Sequence, residues 1–330
     1  MPVLLVALIP PPSDPSLGSA FYGSLLGEGW TVKGFRGQDD IPDDVAAQVE
    51  FVVAPPPAAI DARLITRAPK LRLIQVPGHG VDHIHIEHAR AAGVPVATVA
   101  SSGAEAHTVA EMTILLAGVA SRRIIDGDGL VRAGGWGNLG MLQHGVFELA
   151  GKTLGIVGFG GIGREVAKRA RAFDMRVVYN NAARLEVATE AQLDVEFRDL
   201  DALLCESDIV SLHLPLTPQT RGLIGERKLS LMKRQAVLVN TARGALVDAA
   251  ALAAALRAGR IGAAAIDVFD PEPPPADNPL RQAPNCVLSP HMAGVTAESV
   301  MRIVAAALDN CKRVARGEPP HDVQTEPDAR

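Results

Sequence analysis

Short apolar runs recur along the chain, separated by polar or alanine-rich stretches, the rhythm of strands alternating with helices in an open α/β domain. In the first hundred residues the strand candidates are 3–9, 49–54, 71–77 and 96–99, and residues 84–92 read as a helix between the last two. Residues 10–15 carry four prolines and read as a loop, while Pro55, Pro56 and Pro57 punctuate a strand end, where no ladder donor is needed. The apolar stretch 104–120 reads as a long helix, and the chain is expected to cross between domains there. A second series follows: strands at 153–157, 176–180, 209–214, 236–240, 263–269 and 286–289, with helices at 162–173, 201–205, 226–232 and 248–258.

A chain of 330 residues with 48% hydrophobic composition exceeds one compact core, so two domains are expected, and either can be discontinuous. A formal charge of −5 gives no general attraction to nucleic acid, and no apolar run reaches membrane-spanning length. The first apolar run has no basic leader, reads as a strand rather than an export signal, and makes a cytoplasmic protein the expectation. Cys205, Cys286 and Cys311 are odd in number and show no C-x-x-C spacing, so neither a disulfide framework nor a metal site is expected. His79, His83, His85 and His88 have no converging cysteine or carboxylate set and read mostly as solvated positions on a helix face.

The sharpest local signal is Gly158-Phe159-Gly160-Gly161-Ile162-Gly163, because it follows a strand and opens a helix. Gly158 permits the tight turn, Gly160 lets the backbone approach a pyrophosphate, and Gly163 allows close helix–sheet packing, with the helix N-terminus facing the phosphates. A carboxylate that would read the adenosine ribose is expected about 20 residues beyond the first glycine. This chain instead has Asn180 and Asn181, with Arg184 close behind. That removes repulsion against a 2′-phosphate and offers a cation to it, so NADP is slightly favoured over NAD.

Three polar residues further along suit an anion and a proton. Arg243 follows an apolar strand, where its fork can hold a carboxylate and polarise an adjacent carbonyl; a structural or pyrophosphate-binding arginine is the alternative. His291, in Ser289-Pro290-His291, can exchange a proton with a carbonyl oxygen, or be a satisfied interdomain histidine. Glu272 can orient and support that imidazole, with Asp270 as a competing partner.

Seven ordered motifs then carry a resemblance over nearly the full length. They begin at Gly78-His79-Gly80-Val81-Asp82, Val109-Ala110-Glu111 and the glycine-rich turn, and continue through His213-Leu214-Pro215-Leu216-Thr217 and the run from Asn240 to Asp248. The last two are the run from Asp267 to Pro273 and the run from Ser289 to Gly294. The chain resembles the D-isomer-specific 2-hydroxyacid dehydrogenases. That resemblance implies a Rossmann-type doubly wound cofactor domain, about residues 102–291, inserted into a flavodoxin-like substrate domain made of 1–101 and 292–330. It implies a catalytic set at Arg243, Glu272 and His291, and a substrate-carboxylate cradle at Gly78, His79, Gly80 and Val81. Cofactor contacts are expected from Gly158, Gly160, Gly161, Ile162, Gly163, Asn181, Arg184, His213, Pro215, Thr217, Thr241, Ala242, Asp267 and Gly294, with Asp267 at the nicotinamide carboxamide. It further implies hinge closure and a homodimer formed largely through the cofactor domain.

Two departures from the family pattern stand out. His79 occupies the position between the cradle glycines where Ala or Val is common, either contacting a substrate substituent or packing beside the loop. Met112 stands where His is frequent, and Glu105 where Asn is common. The expected reaction is reversible hydride transfer between NAD(P)H and a small 2-oxo acid such as glyoxylate or hydroxypyruvate. Oxidation of phosphite or another small anion is the alternative within the family, and a dinucleotide-sensing corepressor the alternative outside enzymes.

Overall fold

The protein is described by a computed structural model covering residues 3–9 and 13–325. The chain forms two compact units, Met1–Glu105 with Thr296–Arg330, and Ala106–Val295.

The first unit runs β1 (Val3–Leu8), α1 (Pro15–Leu26), β2 (Trp30–Phe35), α2 (Asp43–Ala46), β3 (Phe51–Val53), α3 (Ala62–Arg67), β4 (Leu73–Gln75), α4 (Ile86–Ala91) and β5 (Val96–Ala97). The strands form one parallel sheet in the order β2-β1-β3-β4-β5. Alternate residues of each strand serve opposite faces: Val6, Leu8, Val52 and Ile74 join a core with Leu64 of α3 and Ala89 of α4. Of the expected loop at 10–15, Pro10, Pro11 and Pro12 lie outside the described residues. Pro15 opens α1 instead, with Asp14 capping it by accepting from Ser16 N. Proline suits that position because the first helical N–H has no intrahelical acceptor. The helix expected at 84–92 begins at Ile86, so only His88 of the four histidines lies on it; His79 and His83 are in the preceding loop and His85 is the N-cap.

The second unit opens with α5 (Ala106–Ser121) and α6 (Ile124–Arg132). It continues as β6 (Thr153–Val157), α7 (Gly161–Arg171), β7 (Arg176–Asn180), α8 (Val187–Leu193), β8 (Glu196–Phe197), α9 (Leu200–Glu206) and β9 (Ile209–Leu212). Then come α10 (Glu226–Leu231), β10 (Val237–Asn240), α11 (Ala249–Arg257), β11 (Ala263–Ile266) and β12 (Cys286–Leu288). The seven strands are parallel, in the order β12-β11-β10-β9-β6-β7-β8. Helices α5 and α7 cover one face with Ala110, Ile114, Val166 and Ala170, and Leu203, Leu229 and Leu252 cover the other. Because the chain leaves β6 outward to β7 and later returns to β9 on its other side, the strand order reverses at β6, and loops diverge at its carboxyl end.

The chain ends with α12 (Ala297–Ala315), which belongs to the first unit. Its Val304, Leu308 and Cys311 pack with Leu5, Phe51 and Leu73 on the sheet face opposite α3 and α4.

Candidate active site

The glycine-rich turn sits at the carboxyl end of β6, where the strand order reverses. Gly158 has φ +94°, and a Cβ there would lie 2.3 Å from His213 O; one on Gly163 would lie 2.4 Å from Gly158 O. Both glycines are therefore required by the fold itself. Gly160 and Gly161 are not: a Cβ on either would meet no protein atom within 4 Å. Close approach of a ligand is a reason for glycine there that packing does not supply, and Gly160 caps α7, whose first amides point outward. The residues fit a dinucleotide's diphosphate.

At the end of β7, Asn181 Oδ1 accepts from Phe159 N at 3.3 Å, tying the glycine-rich turn to the loop after β7. Arg184 is held by Glu190: Nε and Nη2 donate to its two carboxyl oxygens at 2.9 and 2.8 Å. Tyr179 Oη also donates to Glu190 Oε1, at 2.8 Å. The hydrogen bonds from Arg184 and Tyr179 lower the Glu190 carboxyl. Past β9, His213 Nε2 lies 2.7 Å from Ser211 Oγ, and burial drops the imidazole to about 3, so it is neutral. Pro215 O accepts from Thr220 Oγ1 at 2.8 Å, and Thr217 N donates to the same hydroxyl at 2.8 Å, which shapes that loop. Thr241 Oγ1 lies 3.1 Å from Thr113 Oγ1, and Ala242 N donates to Asn240 Oδ1 at 3.0 Å, fixing the exit from β10.

Arg243 leaves that exit half-buried, and Nη1 donates to Ala242 O at 2.8 Å. After β11 the chain turns through residues 267–273, where Glu272 Oε1 accepts from Phe269 N at 2.9 Å. The other oxygen, Oε2, accepts from His291 Nδ1 at 2.7 Å. Asp270 is not the imidazole's partner: it pairs with Arg221 at 2.9 Å. Burial works against both charged forms, but each partner more than offsets it. Burial alone raises the Glu272 carboxyl, yet the hydrogen bond and charge of His291, the Phe269 amide and Arg243 bring it below the usual range. Burial likewise lowers the His291 imidazole, but the hydrogen bond and charge of Glu272 lift it above 6.5, with Arg243 opposing and Asp267 assisting. The arrangement is an imidazole whose charged form is favoured by a carboxylate on one side and opposed by a guanidinium on the other.

Asp267 is wholly buried, and its carboxyl oxygens accept from Ser289 Oγ, Met292 N and Ala293 N. It faces the His291 loop, just ahead of Gly294. A cavity of about 330 Å³, lined by Arg221, Asn240, Gly244, Phe269 and Asp270 among others, lies at the carboxyl ends of β10 and β11; Arg243, Glu272 and His291 do not line it. In the first unit the loop from Gly78 to Val81 follows β4, with Gly78 O accepting from Val99 N at 3.2 Å. His79 Nδ1 is paired with Glu105 Oε1. Sequence reasoning assigned no role to Ser211, Arg221 or Ser289. Ser211 contacts His213 two residues on, at the start of a quoted motif, whereas the partners of Arg221 and Ser289, Asp270 and Asp267, are distant in sequence.

A turn shaped for a diphosphate and an imidazole paired with a carboxylate, both at the carboxyl ends of one sheet, suit hydride transfer to a carbonyl, so fold and site define a nicotinamide-dependent oxidoreductase. A family model described as "D-isomer specific 2-hydroxyacid dehydrogenase, NAD binding domain" matches residues 113–293. The glyoxylate reductase of Aeropyrum pernix is 45% identical over 273 residues, 81% of this chain and 80% of that protein. Among solved structures, the TT0316 protein of Thermus thermophilus has a TM-score of 0.84 at 35% identity, covering 97% of this chain and 99% of that one. D-lactate dehydrogenase from Aquifex aeolicus, complexed with NAD and lactic acid, has a TM-score of 0.86 at 27% identity, covering 98% of this chain and 100% of that one. The chain belongs to the D-isomer specific 2-hydroxyacid dehydrogenase family, and its reaction is the NAD(P)-dependent interconversion of a 2-oxo acid and a 2-hydroxy acid.

Proposed function

We propose that the protein reduces a small 2-oxo acid, glyoxylate or hydroxypyruvate, reversibly to the hydroxy acid. The observation that carries this reading is the 2.7 Å contact between Glu272 and His291, which raises the imidazole's pKa above its ordinary value. The nicotinamide, when bound, supplies the hydride. His291 donates its proton to the oxygen that becomes the hydroxyl, and takes it back in the oxidative direction. Glu272 orients the ring and stabilises its charged form. Arg243 holds the substrate carboxylate and polarises the carbonyl, while the backbone from Gly78 to Val81, with His79, cradles the carboxylate. Names of relatives support the substrate class, since the Aeropyrum pernix protein is a glyoxylate reductase.

The unit Ala106–Val295 is the cofactor domain in this reading and the other unit the substrate domain. Gly160, Gly161 and Ile162 take the diphosphate, and Asn181 and Arg184 the adenosine ribose. His213, Pro215, Thr217, Thr241, Ala242, Asp267 and Gly294 line the path to the nicotinamide. Absence of a carboxylate at Asn180 and Asn181 supports NADP over NAD. A homodimer through the cofactor unit is supported by its exposed apolar side chains, Leu115, Ile124, Ile125, Val131, Trp136 and Leu139. No described helix is long and apolar enough to cross a membrane, and the free thiols of Cys205, Cys286 and Cys311 are in keeping with the cytoplasm.

Initial rates of NADPH and NADH oxidation by the purified chain, with glyoxylate and hydroxypyruvate as acceptors, test this reading. Turnover with either acid is the expected result; no turnover with both acids and both cofactors would overturn the substrate assignment.

A further inference from the structure

The loop that carries His291 is built around a buried carboxyl group. His291 has φ +52°, in the left-handed region that residues with a Cβ adopt infrequently. Four groups from residues 289–293 converge on Asp267 and hold the loop in that turn. Ser289 Oγ donates to Oδ1 at 2.5 Å and Met292 N to the same oxygen at 2.9 Å. Ala293 N donates to Oδ2 at 2.8 Å, and His291 N to the Asp267 carbonyl at 2.7 Å. Asp267 is itself fixed just past β11, its own amide donating to Asn240 O at 3.0 Å. Successive amides beside a left-handed residue form a concave anion-binding nest, and here the anion is the protein's own. Three of the four donors are backbone and survive any side-chain exchange. The Ser289 hydroxyl is the one that side-chain chemistry provides.

We propose that Ser289 is a positioning residue for the reaction: through Asp267 it holds His291 in the left-handed turn that seats Nδ1 on Glu272 and aims the ring at the reacting oxygen. This rests on reading His291 as the proton donor. Its consequence follows from the groups that face the ring. Glu272 and Asp267 favour the charged imidazole and Arg243 opposes it. A ring that drifts from Glu272 loses its main support while Arg243 remains, so its protonated form is lost at lower pH. Misplacing a proton donor by a fraction of an ångström slows the chemical step without touching substrate or cofactor affinity.

The test compares Ser289→Ala, Ser289→Thr and His291→Asn in the full chain. The measurements are kcat, KM for the oxo acid, dinucleotide affinity by fluorescence titration, and the pH profile of reduction. We expect Ser289→Ala to lower kcat about tenfold with KM and dinucleotide affinity unchanged. The alkaline fall in rate should move to lower pH, and Ser289→Thr, which keeps the hydroxyl, should restore both. Should Ser289→Ala not fold, Ser289→Cys, close in volume and a weaker donor, is held to the same criteria. Parental kcat and pH profile in the serine variant beside an inactive His291→Asn would overturn the proposal and leave the proton-donor reading standing. An active His291→Asn would overturn that reading and the proposal with it.

Discussion

His79 and Glu105 are each other's partners: the imidazole Nδ1 in the loop after β4 pairs with the carboxylate that immediately precedes α5. Two of the positions where this chain departs from its family's usual residues are thus one contact, and the ring is fixed beside the backbone assigned to the substrate carboxylate. Separating the pair is expected to act on substrate binding. His79→Ala and Glu105→Gln should each raise KM for the oxo acid about tenfold, with kcat and dinucleotide affinity unchanged. Parental KM in both variants would remove the pair from substrate recognition.

In the proposed mechanism reduction draws on the charged form of His291, whose pKa is raised above its ordinary 6.5. Reduction should therefore hold its rate below that raised pKa and fall as pH rises through it. Oxidation, which needs the neutral ring, should gain over the same interval. Glu272→Gln removes the main favourable cause, so the fall should move to lower pH and kcat at neutral pH should drop about 10²-fold or more. A pH–rate profile with the fall unmoved would assign it to another group.

Glycine exchanges in the turn should separate folding from cofactor binding. Gly163→Ala places a Cβ 2.4 Å from Gly158 O and should destabilise the second unit, seen as a fall in Tm. Gly160→Ala meets no protein atom within 4 Å and should keep the parental Tm while weakening dinucleotide binding in calorimetric titration. Unimpaired dinucleotide affinity in Gly160→Ala would place the diphosphate elsewhere.

Arg184→Ala should weaken NADPH about tenfold and NADH little, because only the former carries the 2′-phosphate. The guanidinium already serves Glu190 through Nε and Nη2, so any phosphate contact must share it with that carboxylate. Equal losses for the two cofactors in binding titrations would reduce Arg184 to an anchor for Tyr179 and Glu190.

The second unit is more legible in the sequence than the first. Strand β7 is readable to its end residues, and the turn after β6 announces itself because glycine, apolar run and helix coincide there. In the first unit α1 and β2 escape the pattern. Helix α1 carries Gly18 and Gly23 with little amphipathic contrast, and β2 is interrupted by Gly34, which lies so close to Pro15 that a Cβ would sit 2.1 Å from its carbonyl oxygen. Helix α6 contains Gly127 and Gly129 and buries no residue, so its apolar side chains Ile124, Ile125 and Val131 do not mark it as a core-facing helix. In sequence the His291 partner is open between Glu272 and Asp270 because both lie in one turn. Arg221 settles it by taking Asp270, a contact that sequence spacing does not reveal.

The return of α12 to the first unit sets an order of events during synthesis. The seven-stranded unit is continuous in sequence and can complete its core before α12 has been added. The five-stranded sheet cannot, because Tyr22 and Leu26 of α1 cover only part of the face of Leu5, Phe51 and Leu73, and Val304, Leu308 and Cys311 of α12 supply the rest. Strands β1–β5 thus belong to a unit that closes only after the continuous one has been made, and a nascent chain carries a partly covered sheet until α12 emerges.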